Sequence, residues 1–167
     1  MIIDKIIIDM ANSYTQLTIH IVIAVKRREC LIKKQFRDEL YQYITGIITH
    51  KNNKLLAINE VSDHIHILIG LNPSAALSDL VRDVKNNSSK FINEKGRAIG
   101  KFQWQEGYSA FSYSKSQRSV VCRYIENQEN HHKKKSFKQE YLNILQKFDV
   151  EYDERFVFDF INNIDFD

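Results

Sequence analysis

Residues 55–70 read LLAINEVSDHIHILIG, two runs of aliphatic and β-branched residues parted only by the polar pair Ser62-Asp63. Such runs extend as strands, and so short a polar break leaves room only for a tight reversal. The stretch therefore predicts an antiparallel hairpin. Upstream, QLTIHIVIAV (16–25), bounded by the charged KRRE, predicts a central strand. Between the two, residues 32–49 space Phe36, Leu40, Tyr43 or Ile44, and Ile47 at helical intervals, and KNNK (51–54) supplies a turn. Downstream, Pro73 and Ser74 open a second helix with Leu77, Leu80, Val81, Val84 and Phe91 on one face, ending near Gly96. YSAFSYS (108–114) alternates as a fourth strand, and Ser116 offers an N-cap to a helix running through Arg118 to about His131. Residues from about 136 to 167 read as a helical tail whose Leu142, Leu145, Phe148, Phe156, Phe158 and Phe160 must pack on the domain or on a second subunit.

Strand, helix, strand, strand, helix, strand, helix is the split-βαβ, ferredoxin-like plan: an α+β fold with an antiparallel sheet, helices on one face and a C-terminal helical extension. At 167 residues the chain suits a single domain, with residues 1–9 as a possible N-terminal extension. That opening stretch carries Asp4, Lys5 and Asp9 among its apolar residues, so it reads as neither a signal peptide nor a membrane span.

A composition 43% hydrophobic and 27% charged, with one proline and 5 glycines, excludes a disordered or fibrous chain. The formal charge is only +3, but the cations are clustered: Lys26, Arg27 and Arg28; Lys33, Lys34 and Arg37; Lys133, Lys134, Lys135 and Lys138. Arg82 and Lys85 lie mostly off the apolar face of the second helix. Local basic patches suit a polyanionic partner. Lys26, Arg27, Arg28, Lys33, Lys34, Arg82, Lys85, Lys133, Lys134 and Lys135 are therefore the candidate contacts to such a partner; Trp104, Tyr108, Phe111 and Tyr113 offer rings for stacking unpaired bases, although aromatics in or near a strand more often belong to the core. Cys30 and Cys122 show no CxxC spacing, which points to free thiols in a reducing cytoplasm.

Side chains alternate along a strand, so His64 and His66 project from one face of HIHILIG while Ile65 and Ile67 point to the other. Two imidazoles so placed can grip one metal ion, although an isolated HxH also occurs as a surface pair, and a third ligand is needed. Tyr124 and Gln128, one helical turn apart, share a face; Gln128 offers an amide oxygen and Tyr124 a phenol. A phenol of pKa about 10 is a poor nucleophile at neutral pH and needs a nearby cation. Imidazoles alone would suit zinc, whereas phosphoryl transfer uses Mg²⁺ or Mn²⁺ with oxygens in the shell. His131 and His132, three and four residues beyond Gln128, lie on the same side of the helix, where either can approach the site or simply form an exposed helix end, the plainer reading.

TQLTIHIVIAVKRREC (15–30), VSDHIHILIG (61–70), LSDLVRDVKNNSSKFINEKG (77–96), FQWQEGYSAFSYSKSQ (102–117) and YIENQENHHKKKSFKQEYL (124–142) together resemble the single-tyrosine HUH transposases. That family comprises insertion-sequence TnpA-like enzymes and REP-associated tyrosine transposases. His64-Ile65-His66 falls on its HUH motif, and Tyr124 and Gln128 on its YxxxQ motif. The resemblance implies a metal-dependent enzyme that cleaves and rejoins single-stranded DNA. In it Tyr124 is the nucleophile, forming a 5′-phosphotyrosine and freeing a 3′-OH, while His64, His66 and Gln128 hold Mg²⁺ or Mn²⁺. It also implies hairpin-forming DNA as substrate and a homodimer.

Two other readings stay open on sequence. A non-catalytic ferredoxin-like nucleic-acid-binding module would use the same cations and rings, though no RNP-type aromatic pattern is visible. An HUH replication initiator or relaxase-type nickase would share the chemistry but usually carries further domains.

Overall fold

The computed structural model describes residues 14–26, 33–61, 63–98 and 100–157. Four strands, β1 (Thr18–Ala24), β2 (Lys54–Val61), β3 (His64–Gly70) and β4 (Ser109–Tyr113), form an antiparallel sheet in the order β2-β3-β1-β4. This is the split-βαβ order: helices α1 (Arg37–His50) and α2 (Leu77–Glu94) each carry the chain past one intervening strand. The hairpin of residues 55–70 forms as expected, with Val61 opposite His64. On one side of the sheet Ile21, Ile23, Ile65, Ile67 and Ile69 meet Leu40, Ile44 and Ile48 of α1 and Leu80, Val81, Val84 and Ile92 of α2. Burying each such side chain contributes about 1.5–3 kcal/mol.

Three boundaries differ from the sequence reading, each for a local reason. Residues 34–36 form a 3-10 turn, so the regular helix starts only at Arg37. The second helix starts at Leu77 because Asn72 holds the chain in a turn: its Oδ1 accepts the Ser74 N–H at 2.9 Å and its carbonyl accepts the Ala75 N–H at 2.9 Å. The cap before the third helix is Ser114, not Ser116, since Gln117 Oε1 accepts from the Ser114 N–H at 3.1 Å in a capping box.

The two crossover helices lie on one face as expected, and the C-terminal helices close the other. There α3 (Arg118–Glu126) sets Val121 and Ile125 on Ala57 and Leu68. Next come α4 (Gln128–His132) and α5 (Phe137–Lys147), whose Phe137, Tyr141 and Leu145 pack on Val22, Ala24 and Phe111. Leu142 and Phe148 join that cluster, so this part of the tail packs on its own sheet. A short α6 (Glu154–Val157) follows. Among the described residues no helix is long and apolar enough to cross a membrane. Residues 1–9, Cys30, Phe158 and Phe160 lie outside the described residues.

Instead of one helix to His131, α3 and α4 are separated at Asn127 (φ −93°, ψ 17°). The cause sits on β2. Asn59 Nδ2 donates to the carbonyls of Ile125 at 2.8 Å and Glu126 at 3.0 Å, caring for the acceptors that end α3. A β-bulge between Leu55 and Ala57 makes this possible. It sends Leu55 to the α1/α2 side but Leu56 and Ala57 to the α3 side, and every later residue of β2 is thereby shifted by one face. Asn59 consequently lies under α3.

Candidate active site

His64 and His66 belong to β3, which is flanked on both sides by strands and covered on both faces, and both are fully buried. In β1, Ala24 and Val22 stand opposite them in register, small enough to leave the rings space. His64 Nδ1 donates to Asp63 Oδ1 at 2.7 Å, which fixes the tautomer and turns Nε2 outward as a lone pair. The Phe137 ring stacks on His64 with centroids 3.8 Å apart. Burial lowers the His64 pKa to about 4, against the opposing hydrogen bond it donates to Asp63, so the ring is a neutral potential ligand at physiological pH. His66 Nδ1 is 2.9 Å from Nε2 of His20, a buried β1 histidine whose ring stacks on it at 5.1 Å. Burial, then the neighbouring His66, push the His20 imidazole well below its ordinary range.

Tyr124 and Gln128 meet these histidines from above. The Tyr124 ring lies edge-on to His66 with centroids 5.9 Å apart, and Gln128 is fully buried. A residue absent from the sequence reading joins them: Glu140 of α5, 2% exposed. It accepts hydrogen bonds from the Tyr124 hydroxyl and, at 3.0 Å, from Gln128 Nε2. His132 Nε2 lies 2.8 Å from its Oε2, off the line of a hydrogen bond, and His64 and His66 Nε2 each lie 3.7 Å from one of its oxygens. Burial alone would raise the Glu140 pKa, but the contacts from His132 and His66 prevail and hold the carboxyl well below its usual range. Burial and the adjacent Glu140 carboxylate push the Tyr124 phenol well above its ordinary value.

His64 Nε2, His66 Nε2, Gln128 Oε1 and Glu140 Oε2 are buried and have no hydrogen-bond partner. Buried polar atoms left so are costly, and those of His64, His66 and Glu140 lie close enough together to suit a shared cation, with Gln128 bonded to the same carboxylate through Nε2. Ligand atoms of His64, His66 and Glu140 lie within 4.8 Å of one another, so the residues present fit a metal ion.

Open hollows flank the Tyr124 ring. One of about 430 Å³ is lined by Arg123, Asn127, Asn130 and Lys134; another of about 250 Å³ by Tyr113, Val121, Ile144, Lys135 and Lys147. Lys133, Lys134 and Lys135 are exposed directly after α4, on the histidine side of the sheet. Lys33 is also exposed; Lys34 pairs with Glu129 at 3.2 Å; and Lys26 donates its backbone N–H to Gln103. Arg82 and Lys85 sit on α2, which packs on the opposite face; there Arg82 pairs with Asp79 at 2.7 Å and Lys85 donates to the Gly107 carbonyl at 2.9 Å. Arg27 and Arg28 lie outside the described residues. Of the candidate rings, Trp104 and Phe111 are core residues, 6% and 4% exposed, with Trp104 Nε1 donating to Ser88 Oγ at 2.9 Å. Tyr108 and Tyr113 remain accessible. His131 and His132 are not a free helix end: the His132 ring packs edge-on to His64 at 4.7 Å, and that of His131 to Tyr124 at 5.4 Å.

A split-βαβ sheet with an HxH strand at its centre, and a tyrosine one turn from a glutamine beside it, defines the single-tyrosine DNA transposases as a class. The family model described as "Transposase IS200 like" matches residues 13–128, and the chain belongs to that family. The ISDra2 transposase TnpA of Deinococcus radiodurans is 25% identical over 118 residues, 68% of this chain and 84% of that protein. Among solved structures, a candidate transposase from Deinococcus radiodurans R1 superposes with a TM-score of 0.56 at 24% identity, covering 71% of this chain and 95% of its own. A REP-associated tyrosine transposase bound to a REP hairpin gives 0.55 at 15% identity, covering 73% and 72%. At these identities the superpositions speak for the shared fold.

Proposed function

We propose that this transposase cuts and rejoins single-stranded DNA through Tyr124, at a Mg²⁺ or Mn²⁺ centre held by His64, His66 and Gln128. The observation that carries the reading is that the two short motifs meet in one buried site: the Tyr124 ring lies against His66, and Gln128 bonds the carboxylate that faces both histidines. A bound metal supplies Lewis-acid polarisation of the scissile phosphate and charge to favour the phenolate. Tyr124 Oη attacks phosphorus, the bond to the 3′-oxygen breaks, and the products are a 5′-phosphotyrosine and a free 3′-OH. Glu140 Oε1, which accepts the phenolic hydrogen bond, is placed to receive the proton. Reversal by another 3′-OH rejoins the strand with no outside energy source. Lys133, Lys134 and Lys135 follow the DNA backbone beside the hollows at Tyr124.

The substrate in this reading is a hairpin-forming strand, the setting the cytoplasm, and the assembly a homodimer, as the family resemblance implies. Tyr124 packs on His66 of its own chain and Gln128 bonds the Glu140 that faces both histidines, so a dimer need not exchange these helices. Sedimentation of the purified protein reads the assembly.

The test is a covalent adduct on a denaturing gel, using labelled single-stranded hairpins from the ends of the protein's own locus with Mg²⁺ or Mn²⁺. The adduct forms with wild type and is lost in Tyr124→Phe, in His64→Ala, with EDTA and on duplex DNA. Binding without adduct across several hairpins and both metals would return the protein to a non-catalytic module.

A further inference from the structure

We infer that Glu140 is a ligand of the same metal ion as His64 and His66, making the centre a two-histidine, one-carboxylate site. This rests on the metal-dependent reading above and adds to it a residue that neither short motif contains. Glu140 lies twelve positions beyond Gln128, the last residue matched by the family model.

The tautomer argument comes first. The Nδ1 proton of His64 is spent on Asp63, so a neutral ring faces Glu140 with a lone pair on Nε2. A lone pair and a carboxylate oxygen have nothing to exchange with each other, yet they stand 3.7 Å apart in a buried site with neither atom hydrogen-bonded. Two donors each about 2.1 Å from one cation are separated by roughly 3.0–4.2 Å, depending on the angle between them. The observed separation falls in that window. His66 Nε2 stands at the same 3.7 Å from the other carboxylate oxygen, Oε1, a separation in the same window.

Charge points the same way. Two imidazoles and an amide oxygen would bring a dication into the interior with no formal countercharge, whereas hard cations of this kind prefer carboxylate oxygens. Burying a carboxylate is itself costly unless it is paired or coordinates a metal. Its placement is specific: Gln128 Nε2 donates to Oε1, while α5 is fixed by the Ser136 cap and by Phe137, Tyr141 and Leu145 in the sheet cluster. α5 therefore brings an anion to the mouth of the two histidines.

Mn²⁺ titration of the chelator-stripped, full-length protein tests this, by calorimetry and by the electron paramagnetic resonance signal of free Mn²⁺. Wild type, Glu140→Gln, Glu140→Ala and His64→Ala are compared, with the melting temperature of each metal-free form reporting folding. Glu140→Gln keeps the volume and an acceptor for Tyr124 while removing the charge, so it carries the test even where Glu140→Ala fails to fold. The expected result is a rise in the Mn²⁺ Kd of at least about tenfold in Glu140→Gln, with a smaller Mn²⁺-induced rise in melting temperature. If Glu140→Gln binds Mn²⁺ as tightly as wild type or more tightly, while His64→Ala loses it, the carboxylate is not a ligand and only occupies the ligand position. If wild type itself takes up no Mn²⁺, the metal-dependent reading falls together with this one.

Discussion

At the scale of single residues, the group with the clearest measurable consequence is Glu60, fully buried on β2 and bonded to Arg37 Nε at 3.0 Å. Burial raises its pKa to about 7, against the lowering by Arg37. The folded protein thus holds the Glu60 proton more tightly than the unfolded chain does. Stability from this group is fully present below the ordinary carboxylate range and is lost as pH rises through about 7. In Glu60→Gln the melting temperature should fall less than in wild type between pH 4.5 and 7.5; equal slopes would mean that Arg37 keeps Glu60 ionised throughout. Asp63→Ala makes a second prediction: losing the Nδ1 acceptor frees the His64 ring and should weaken Mn²⁺ binding by about 10–100-fold. Unchanged affinity would show that Phe137 stacking alone orients the ring. The two histidines, Tyr124 and Gln128 were legible in the sequence because their spacing is fixed by strand and helix period. His20, Asn59 and Glu140 were not, because each reaches the site from an element whose own pattern gives no sign of it. His20 is one polar residue in an apolar run, and Glu140 one acidic residue in a charged amphipathic helix. Only the register of β1 against β3 and the packing of α5 bring them in.

At the scale of elements, the join between α3 and α4 sets where Gln128 points, and Asn59 fixes that join. Its Oδ1 also accepts from the Tyr41 hydroxyl at 2.9 Å, tying α1 to the same point. Removing the amide takes the donor from two buried carbonyls and the acceptor from the Tyr41 hydroxyl, which keeps only its bond from the Glu60 N–H, so Asn59→Ala should cost about 1–3 kcal/mol in denaturant unfolding and reduce adduct formation. A loss below about 0.5 kcal/mol, the scale of an ordinary surface substitution, would mean that the helix ends find other partners. The strands and both crossover helices could be read in advance because their apolar residues repeat with the right period. The break at Asn127 could not, since YIENQENHH is a continuous helical pattern and the interruption comes from a side chain more than sixty residues away. The bulge in β2 was hidden for a similar reason: LLAIN gives no sign that Leu56 and Ala57 share a face until the sheet is paired.

At the scale of the whole molecule, the sheet divides the protein into a side closed by α1 and α2 and a side where the histidines lie beneath α3, α4 and α5. The candidate cations divide with it. Arg82 and Lys85 stand on the closed side, engaged with Asp79 and Gly107, whereas Lys134 and Lys135 line the hollows at Tyr124 and Lys133 precedes them in the chain. With a formal net charge of only +3, attraction of DNA by the molecule as a whole is weak, so affinity should depend on the local cluster. Each phosphate neutralised on a single strand contributes about −0.7 to the slope of log affinity against log salt. Replacing Lys133, Lys134 and Lys135 together by alanine should therefore make the slope shallower by roughly 1–2 and weaken binding of a single-stranded hairpin at low salt. Arg82→Ala with Lys85→Ala should leave both unchanged. Fluorescence anisotropy across a salt series separates the two cases, and a slope that responds to the α2 pair instead would place the strand on the opposite face of the sheet from Tyr124.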